Sequence, residues 1–470
     1  MGEDGQGRRP PRRRRQAPAR RRRRLTPRLD LIRLDGGRRH RRPPPRRPPL
    51  PHSDRVRDPP LRTPLELEAA ASQAFAAEYG GRAEVAARAP GRVELLGNHT
   101  DYNGGLVMAA AVDRYTAVVG RARPGGEGRV YAANFEGSAR FPLAEIERGP
   151  VGTWPNYVKG VVWALQEALG AELTGGFETA IAGEVPLGAG LSSSASLQAA
   201  VAFFLLQAGI APGKVVDQYV GEGSDSALMD LAMVLRRSEN AFVGVSSGLL
   251  DQFSSLFGRE DHALFLDCQS LEFARVPLGS PGPAIVVCDS KTSRKLADGM
   301  YNRRFAECNA VVEHFKARKG GDAVHLLRDI SLAELEEAWD DLDPTCRRRA
   351  RHVLTENERV REGVAALRGG DLKRFGSLIS ASHASSRDDF ENSSPALDAL
   401  VEAAEEAPGF LGGKLSGAGW AGCTVNLVEP ARAEEFAEAV RGGYFRRMNV
   451  PPDVHVCRAA DGASGRRLVD

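Results

Sequence analysis

The stretch from residue 183 to residue 197 has the composition expected of a phosphate-binding loop. Its sequence is GEVPLGAGLSSSASL, with glycines at 188 and 190 followed by three consecutive serines at 192–194. Glycine lets the backbone approach a ligand closely. A helix that begins at the serines would present unpaired N–H groups and partial positive charge, which favour an anion such as phosphate. We therefore favour a phosphate site here over a surface turn with a serine cap.

The elements around this loop are a strand and a buried helix. Residues 177–182 (FETAIA) alternate apolar and polar side chains, which predicts a strand, and residues 195–206 (ASLQAAVAFFLL) predict a buried helix. No Gly-Lys-Ser/Thr follows the glycines, which excludes a Walker A loop. The three-glycine spacing of the dinucleotide fingerprint is also absent.

A second polar cluster follows a short apolar segment near the start of the folded part. Residues 89–105 (APGRVELLGNHTDYNGG) place Asn, His, Thr, Asp and Tyr side chains between two glycine breaks. Such a density of hydrogen-bonding groups suits a ligand with many hydroxyls. The alternative interpretation is an ordinary polar surface loop, and composition leaves both open.

Two further segments carry groups that could take part in catalysis. Glu239 lies in a helix-like run, and Asp251 follows a glycine-containing turn twelve residues later. A single aspartate is more often a helix cap or a surface charge than a catalytic group. Residues 412–425 (GGKLSGAGWAGCTV) form a glycine-rich turn that leads into a strand, which can also be a simple tight connection.

Together these segments resemble the motifs of the GHMP small-molecule kinases, and those of the galactokinase branch in particular. Residues 186–195 (PLGAGLSSSA) are similar to the ATP-binding motif, residues 89–105 to the sugar signature, and residues 412–425 to the third motif. The resemblance extends from about residue 65 to about residue 460, with the motifs in family order. One departure is that Asn98 stands where the family usually has glutamate.

The resemblance implies an α+β fold with two domains and an active site in the cleft between them. The first domain would have the ribosomal-protein-like GHMP architecture and the second a ferredoxin-like α+β architecture. We expect residues 63–270 to form the N-terminal domain and residues 271–470 the C-terminal domain. The implied reaction transfers the γ-phosphoryl group of ATP to the anomeric C1 hydroxyl of galactose, giving galactose 1-phosphate and ADP.

The family motifs also assign a role to individual residues. Asp251 would accept the proton of the C1 hydroxyl, and Arg92 would keep Asp251 ionised and stabilise the transferring group. Ser194 and Glu239 would hold Mg²⁺, with Ser193 as the alternative hydroxyl. The sugar would be bound by Asn98, His99, Asp101, Gly248 and Tyr301. The nucleotide would be bound by Trp154, Gly188, Ala189, Gly190, Leu191, Ser192, Ser193, Ser194 and Ala195.

Two other functions remain open from the sequence. One is a GHMP kinase for another sugar, such as N-acetylgalactosamine or arabinose, which the departure at Asn98 would allow. The other is a sugar sensor without catalytic activity, against which the complete serine motif and Asp251 argue.

If galactose is the substrate, a glutamate at 98 would be the stronger, charged acceptor. Asn98→Glu is then expected to lower the KM for galactose.

The N-terminal residues differ in composition from the rest of the chain. Residues 1–62 hold 22 arginines, 6 acidic residues and 12 prolines, so the remainder must be net acidic to give the overall charge of +3. Few apolar residues and strong self-repulsion predict a disordered tail. Non-specific nucleic-acid binding, a transit peptide and upstream sequence read in frame are competing interpretations of the tail. We expect its deletion to leave folding and kinetics unchanged.

The remaining composition favours a cytoplasmic enzyme. Six widely spaced cysteines form no C-x-x-C pair, which argues against a zinc site or a disulfide framework and fits a reducing compartment. No run of eighteen apolar residues predicts a membrane span. We expect a monomer that binds galactose and ATP, with no membrane association and no specific nucleic-acid partner.

Overall fold

The computed structural model describes residues 62–210, 225–245, 247–292, 299–320 and 323–468. The tail predicted at residues 1–62 lies outside this part of the chain, apart from Arg62. The helices of the described residues are α1 (Pro64–Tyr79), α2 (Pro155–Leu169), α3 (Ser193–Gln207), α4 (Asp225–Arg237), α5 (Leu250–Phe257), α6 (Met300–Lys319), α7 (Leu332–Glu337), α8 (Pro344–Arg368), α9 (Leu372–Ser385), α10 (Pro395–Glu405) and α11 (Ala433–Met448).

The strands of the same residues form two sheets. They are β1 (Val85–Leu96), β2 (Leu106–Arg123), β3 (Glu127–Ala132), β4 (Gly137–Pro142), β5 (Gly176–Gly183), β6 (His262–Asp267), β7 (Phe273–Pro277), β8 (Ala284–Asp289), β9 (Phe410–Leu415), β10 (Cys423–Val428), β11 (Asp453–Cys457) and β12 (Ser464–Arg467). The first sheet has the order β12-β1-β2-β5-β3-β4, with β6 and β7 added beside β2, and the second has the order β11-β8-β10-β9.

The first sheet is covered on both faces. Its pairs are antiparallel except for β3 and β5, which run parallel. Helices α2, α3, α4 and α5 pack on one face through a large apolar core that includes Phe177, Phe204 and Phe253. Helix α1 covers the other face through Leu67 and Phe75. This arrangement buries the strand side chains and leaves the ends of β1 and β5 to carry the motifs.

A second core joins the two sheets. It contains the C-terminal half of β1 and the start of β2, together with side chains from β8, β10, α8 and α9. The loop before α3 enters the same core through Leu191. All pairs in the second sheet are antiparallel. The segments that carry the three sequence motifs therefore share one packed region.

The predicted α+β class and the two-domain GHMP fold are confirmed. The boundary placed at residue 270 stays a prediction, although β7 and β12 lie beyond it in sequence and pair into the first sheet. Within the described ranges, no helix is long and apolar enough to cross a membrane.

Candidate active site

Gly91 brings strand β1 against the loop that precedes α3. A Cβ atom at this position would lie 2.6 Å from the carbonyl oxygen of Leu191, a contact that side chains do not make. The backbone N–H of Arg92 donates to the same oxygen at 3.0 Å. The Gly-Arg pair of the sugar signature thus places the Arg92 side chain beside the serine motif.

Arg92 and Ser192 both bind the carboxylate of Asp251, which lies in the first turn of α5. The Arg92 Nε donates to Oδ1 at 2.7 Å, and its Nη2 donates to the same oxygen. The Ser192 hydroxyl donates to Oδ2 at 2.5 Å. Arg92 also donates through Nη1 to the carbonyl of Gly190 at 2.7 Å. The side chain of Asp251 remains 24 % exposed, so the fixed carboxylate is still accessible.

The N-terminus of α3 is left open for an anion. Ser192 precedes the helix in the left-handed region, with φ of 52°, and forms no side-chain cap to the first turn. Gly188 and Gly190 also have positive φ, 76° and 69°. The first N–H groups of a helix have no partner within it. The loop therefore has backbone donors at the start of α3, and its role as a phosphate site stays a prediction.

Three residues of the predicted nucleotide-binding set have side chains that cannot reach a ligand. Ala189, Leu191 and Ala195 are buried, so their backbone groups alone could meet a ligand. Trp154 precedes α2 and stacks on Phe135 with ring centroids 6.5 Å apart. Its role beside the nucleotide stays a prediction.

Glu239 is a buried carboxylate close to Ser194 and Asp251. It lies in the π-helical turn Ser238–Val243 that follows α4, and it is 4 % exposed. Burial and then the charge of Asp251 raise its pKa, while hydrogen bonds from Ser194, Gln252 and Ser247 act in the opposite direction. No described lysine or arginine forms an ion pair with it. Oxygen donors with an uncompensated negative charge suit a hard divalent cation.

Asp101, Gly248 and Tyr301 lie together at another side of the site. Asp101 and Tyr301 are both partly exposed. Burial raises the pKa of Asp101 to about 6. A Cβ at Gly248 would lie 1.8 Å from Asp101 Oδ2, so this glycine leaves the space that the carboxylate occupies. Tyr301 begins α6 with its ring centroid 5.2 Å from that of Tyr102.

His99 joins the sugar signature to the third motif. Its Nε2 lies 2.9 Å from the carbonyl oxygen of Ala418, and its Nδ1 lies 3.0 Å from the Tyr102 hydroxyl. Burial lowers the pKa of His99 to about 3, so the ring is neutral. A neutral ring that donates to Ala418 can accept from Tyr102. A sugar hydroxyl would have to displace one of these protein partners.

Asn98 is likewise bonded to the protein at both ends of its amide. The residue is 1 % exposed. Its Nδ2 donates to Glu94 Oε1 at 3.0 Å and to the Gly417 carbonyl at 2.8 Å. Its Oδ1 accepts from Asn392 Nδ2 at 2.9 Å. The Asn98 amide is thus buried against protein partners. The predicted contact between Asn98 and the sugar would require these bonds to break.

Helix α8 holds the signature loop through groups that the sequence did not assign. Glu356 accepts from the backbone N–H of Gly97 at 3.0 Å, and Asn357 accepts from that of Leu106 at 2.8 Å. His352 lies 3.0 Å from the Asn98 carbonyl through Nε2. The sequence motifs gave no signal for these contacts, which join residues at least 251 apart in the chain.

The chain also matches known families and proteins. Residues 73–122 match the galactokinase galactose-binding signature, residues 156–259 the GHMP kinases N terminal domain, and residues 364–445 the GHMP kinases C terminal domain. It is 42% identical over 398 residues to a galactokinase of a Roseiflexus species, covering 84% of this chain and 96% of that protein. It is 40% identical over 413 residues to the Homo sapiens galactokinase, covering 86% and 98%.

Solved structures give the same likeness. The crystal structure of Lactococcus lactis galactokinase complexed with galactose aligns with a TM-score of 0.75 and 35% identity. The alignment covers 84% of this chain and 98% of that one.

Proposed function

This chain belongs to the galactokinase family of GHMP kinases, and from that premise we propose how its residues carry out the reaction. The reaction is the ATP-dependent phosphorylation of the C1 hydroxyl of galactose, giving galactose 1-phosphate and ADP. The observation that carries the assignment of roles is the contact of Arg92 and Ser192 with the single carboxylate of Asp251. This contact supports the assignment because a carboxylate, a cationic side chain and the serine before a helix terminus belong to one hydrogen-bonded group.

Asp251 is the base that takes the proton from the C1 hydroxyl. Its carboxylate is held on one oxygen by Arg92 and on the other by Ser192, so its direction is fixed before the sugar binds. Phosphoryl transfer depends mainly on positioning and on charge stabilisation. Arg92 supplies the positive charge next to the reacting oxygens.

The start of α3 binds the nucleotide phosphates through backbone N–H groups. The left-handed backbone at Gly188, Gly190 and Ser192 turns this segment toward the ligand, while Leu191 anchors it in the core. Free amides and the helix dipole both favour negative charge at this point. The serine motif is therefore the phosphate site.

The Ser194 hydroxyl and the Glu239 carboxylate would hold the Mg²⁺ ion that accompanies ATP. A kinase family that uses ATP is consistent with a metal ion, and Ser194 lies close enough to Glu239 to lower its pKa. This proximity favours Ser194 over Ser193 as the hydroxyl ligand. When bound, the ion would neutralise negative charge on the phosphates.

Galactose hydroxyls are bound on the side of the site where Asp101 and Tyr301 lie. Both are partly exposed, unlike Asn98 and His99, whose polar atoms are bonded within the protein. An ionised Asp101 accepts hydrogen bonds from sugar hydroxyls, which charge makes stronger than neutral ones. His99 and Asn98 shape this side by fixing the loop that carries Asp101.

The test is an ATP-dependent phosphorylation assay over galactose, N-acetylgalactosamine, arabinose and glucose, with the position of the phosphate determined by NMR. We expect galactose to have the highest kcat/KM and the phosphate to be attached to C1. A higher kcat/KM for another sugar, or attachment at another carbon, would reject galactose 1-phosphate formation as the function.

A further inference from the structure

The carboxylate of Glu94 accepts hydrogen bonds from the described residues at one of its two oxygens. Glu94 lies near the end of β1 and is 7 % exposed. Its Oε1 accepts from Lys414 Nζ and from Asn98 Nδ2. Among the residues that the structure describes, none donates to Oε2. The Glu94 side chain keeps 9 % of its surface exposed, so Oε2 is the oxygen left to meet a ligand.

The partners of Glu94 are too deeply buried to reach a ligand themselves. Lys414 is fully buried, and its ammonium forms an ion pair with Glu94. Asn98 uses the rest of its amide for Gly417 and Asn392. A buried ammonium and a saturated amide can fix a carboxylate in one orientation, and they leave its second oxygen as the group that can act.

Contacts link Glu94 to the side of the site that carries Tyr301. Glu94 accepts from Asn98, and the ring of the next residue, His99, has its centroid 5.6 Å from that of Tyr301. The charge of Glu94 is among the causes that raise the pKa of Asp101 and that of Tyr301, so it lies within electrostatic reach of both. Glu94 and Asp101 thus approach the same region from the strand and from the loop that follows it.

We propose that Glu94 binds a hydroxyl of galactose through Oε2, and that Asn98 and Lys414 are positioning residues that hold its carboxylate. The proposal rests on the proposed function, because it needs galactose as the substrate. It also gives a physical reason for the departure at position 98. The site keeps a carboxylate, but the carboxylate comes from four residues earlier and the residue at 98 donates to it.

This arrangement reverses the expectation for Asn98→Glu. A glutamate at 98 would lose the amide donors to Glu94 and to the Gly417 carbonyl. It would also put two carboxylates beside one ammonium, and like charges this close destabilise each other. We therefore expect the KM for galactose to rise in Asn98→Glu.

The first experiment compares wild type with Glu94→Gln on galactose and on its 2-, 3-, 4- and 6-deoxy analogues. A hydrogen bond to a charged group corresponds to roughly 10- to 100-fold in affinity. In Glu94→Gln we expect a rise of that order in the KM for galactose with a smaller change in kcat. One analogue lacks the hydroxyl that Glu94 would bind. For that analogue, the loss in kcat/KM relative to galactose that wild type shows should shrink to less than about threefold in Glu94→Gln. Glu84→Gln, at an exposed position, is the matched control.

A second variant separates binding from folding. The exchange of the pair, Glu94→Asn with Asn98→Glu, returns a single carboxylate to the site, and we expect its KM for galactose to lie closer to wild type than that of either single variant. The ratio of kcat/KM for galactose to kcat/KM for each deoxy analogue is measured within one protein, so it does not depend on the folded fraction. If Glu94→Gln does not fold, the same ratio is measured in Glu94→Gln with Lys414→Met, which leaves no unpaired ammonium.

The outcomes distinguish this proposal from the function on which it rests. Failure of wild type to phosphorylate galactose would reject the proposed function. Normal wild-type activity, with the same analogue ratios in wild type and in the Glu94 variants, would reject Glu94 as a sugar ligand and leave the function intact.

Discussion

The Asp251→Asn substitution removes the proposed base while keeping the size of the side chain. Asp251 Oδ1 accepts from Arg92, and Oδ2 accepts from Ser192. An asparagine can keep its oxygen toward Arg92 and turn its NH₂ group toward the serine hydroxyl, which is able to accept a hydrogen bond. The local network is therefore largely preserved, and the loss should fall on proton transfer.

The expected loss in kcat is roughly 10²- to 10⁴-fold, the usual contribution of a positioned acid or base. At about 1.36 kcal/mol per tenfold, this corresponds to about 3–5 kcal/mol of activation free energy. The structural cost is smaller. Removing one partner of a fully buried ion pair costs about 3–5 kcal/mol, but Asp251 is partly exposed and solvent screens its pair with Arg92. Folding should therefore survive the change.

The assay measures ADP release at saturating ATP with galactose as the varied substrate, and calorimetry measures galactose binding separately. Asp230→Asn, at an exposed position of α4, is the matched control for replacing a helical aspartate. Turnover within about threefold of wild type, or a loss confined to KM, would refute the assignment of Asp251 as the base.

Three other substitutions test the remaining groups. Glu239→Gln removes the charged ligand, so it should weaken Mg²⁺ binding by about tenfold or more. Calorimetry in the presence of a non-hydrolysable ATP analogue measures this affinity, and an unchanged value would exclude Glu239 as a metal ligand. Burial raises the pKa of Asp101 from 3.8 to about 6. The protonated side chain therefore contributes to the free energy of unfolding below about pH 4, and this contribution is lost as the pH rises through 6. Asp101→Asn should thus raise Tm at pH 8 but not at pH 4, with a gain of at most about 3 kcal/mol in the free energy of unfolding. The KM of wild type for galactose should rise below pH 6. A Tm difference between variant and wild type that is the same at both pH values would contradict this. Gly248→Ala should raise the KM for galactose, because the new Cβ would meet Asp101 Oδ2 at 1.8 Å; Gly126→Ala, with no neighbour within 4 Å, is the control, and equal KM values for the two would refute the argument.

Local signals in the sequence predicted the elements that carry the motifs. The strand predicted at 177–182 is β5 (Gly176–Gly183), and the helix predicted from 195 is α3 (Ser193–Gln207). Helix α1 (Pro64–Tyr79) ends before Gly80, and its start is fixed by the capping box of Thr63 and Glu66. These elements were predictable because periodicity, glycine stops and serine or threonine caps act within a few residues.

The partners of the polar side chains could not be predicted in the same way. The family motifs assigned Asn98 and His99 to the sugar, which stays a prediction, and in the structure their amide and ring nitrogens bond to the backbone of Gly417 and Ala418. Their partners lie 319 residues away in sequence. Spacing along the chain carries no information on a pairing at this separation. Glu94 was overlooked for a related reason, since a glutamate in a strand gives no sign that Lys414 lies against it.

The neutral state of His99 limits where the pH dependence of the site can arise. The bonds of His99 to Ala418 and Tyr102 join the signature loop to the third motif. Because burial holds the pKa of His99 near 3 and that of His352 near 4, neither ring becomes charged between pH 5 and pH 9. Asp101 does change charge in that range, and it lies on the same loop. A change in galactose binding near pH 6 would therefore report on the Asp101 carboxylate rather than on loosening of the loop that carries it.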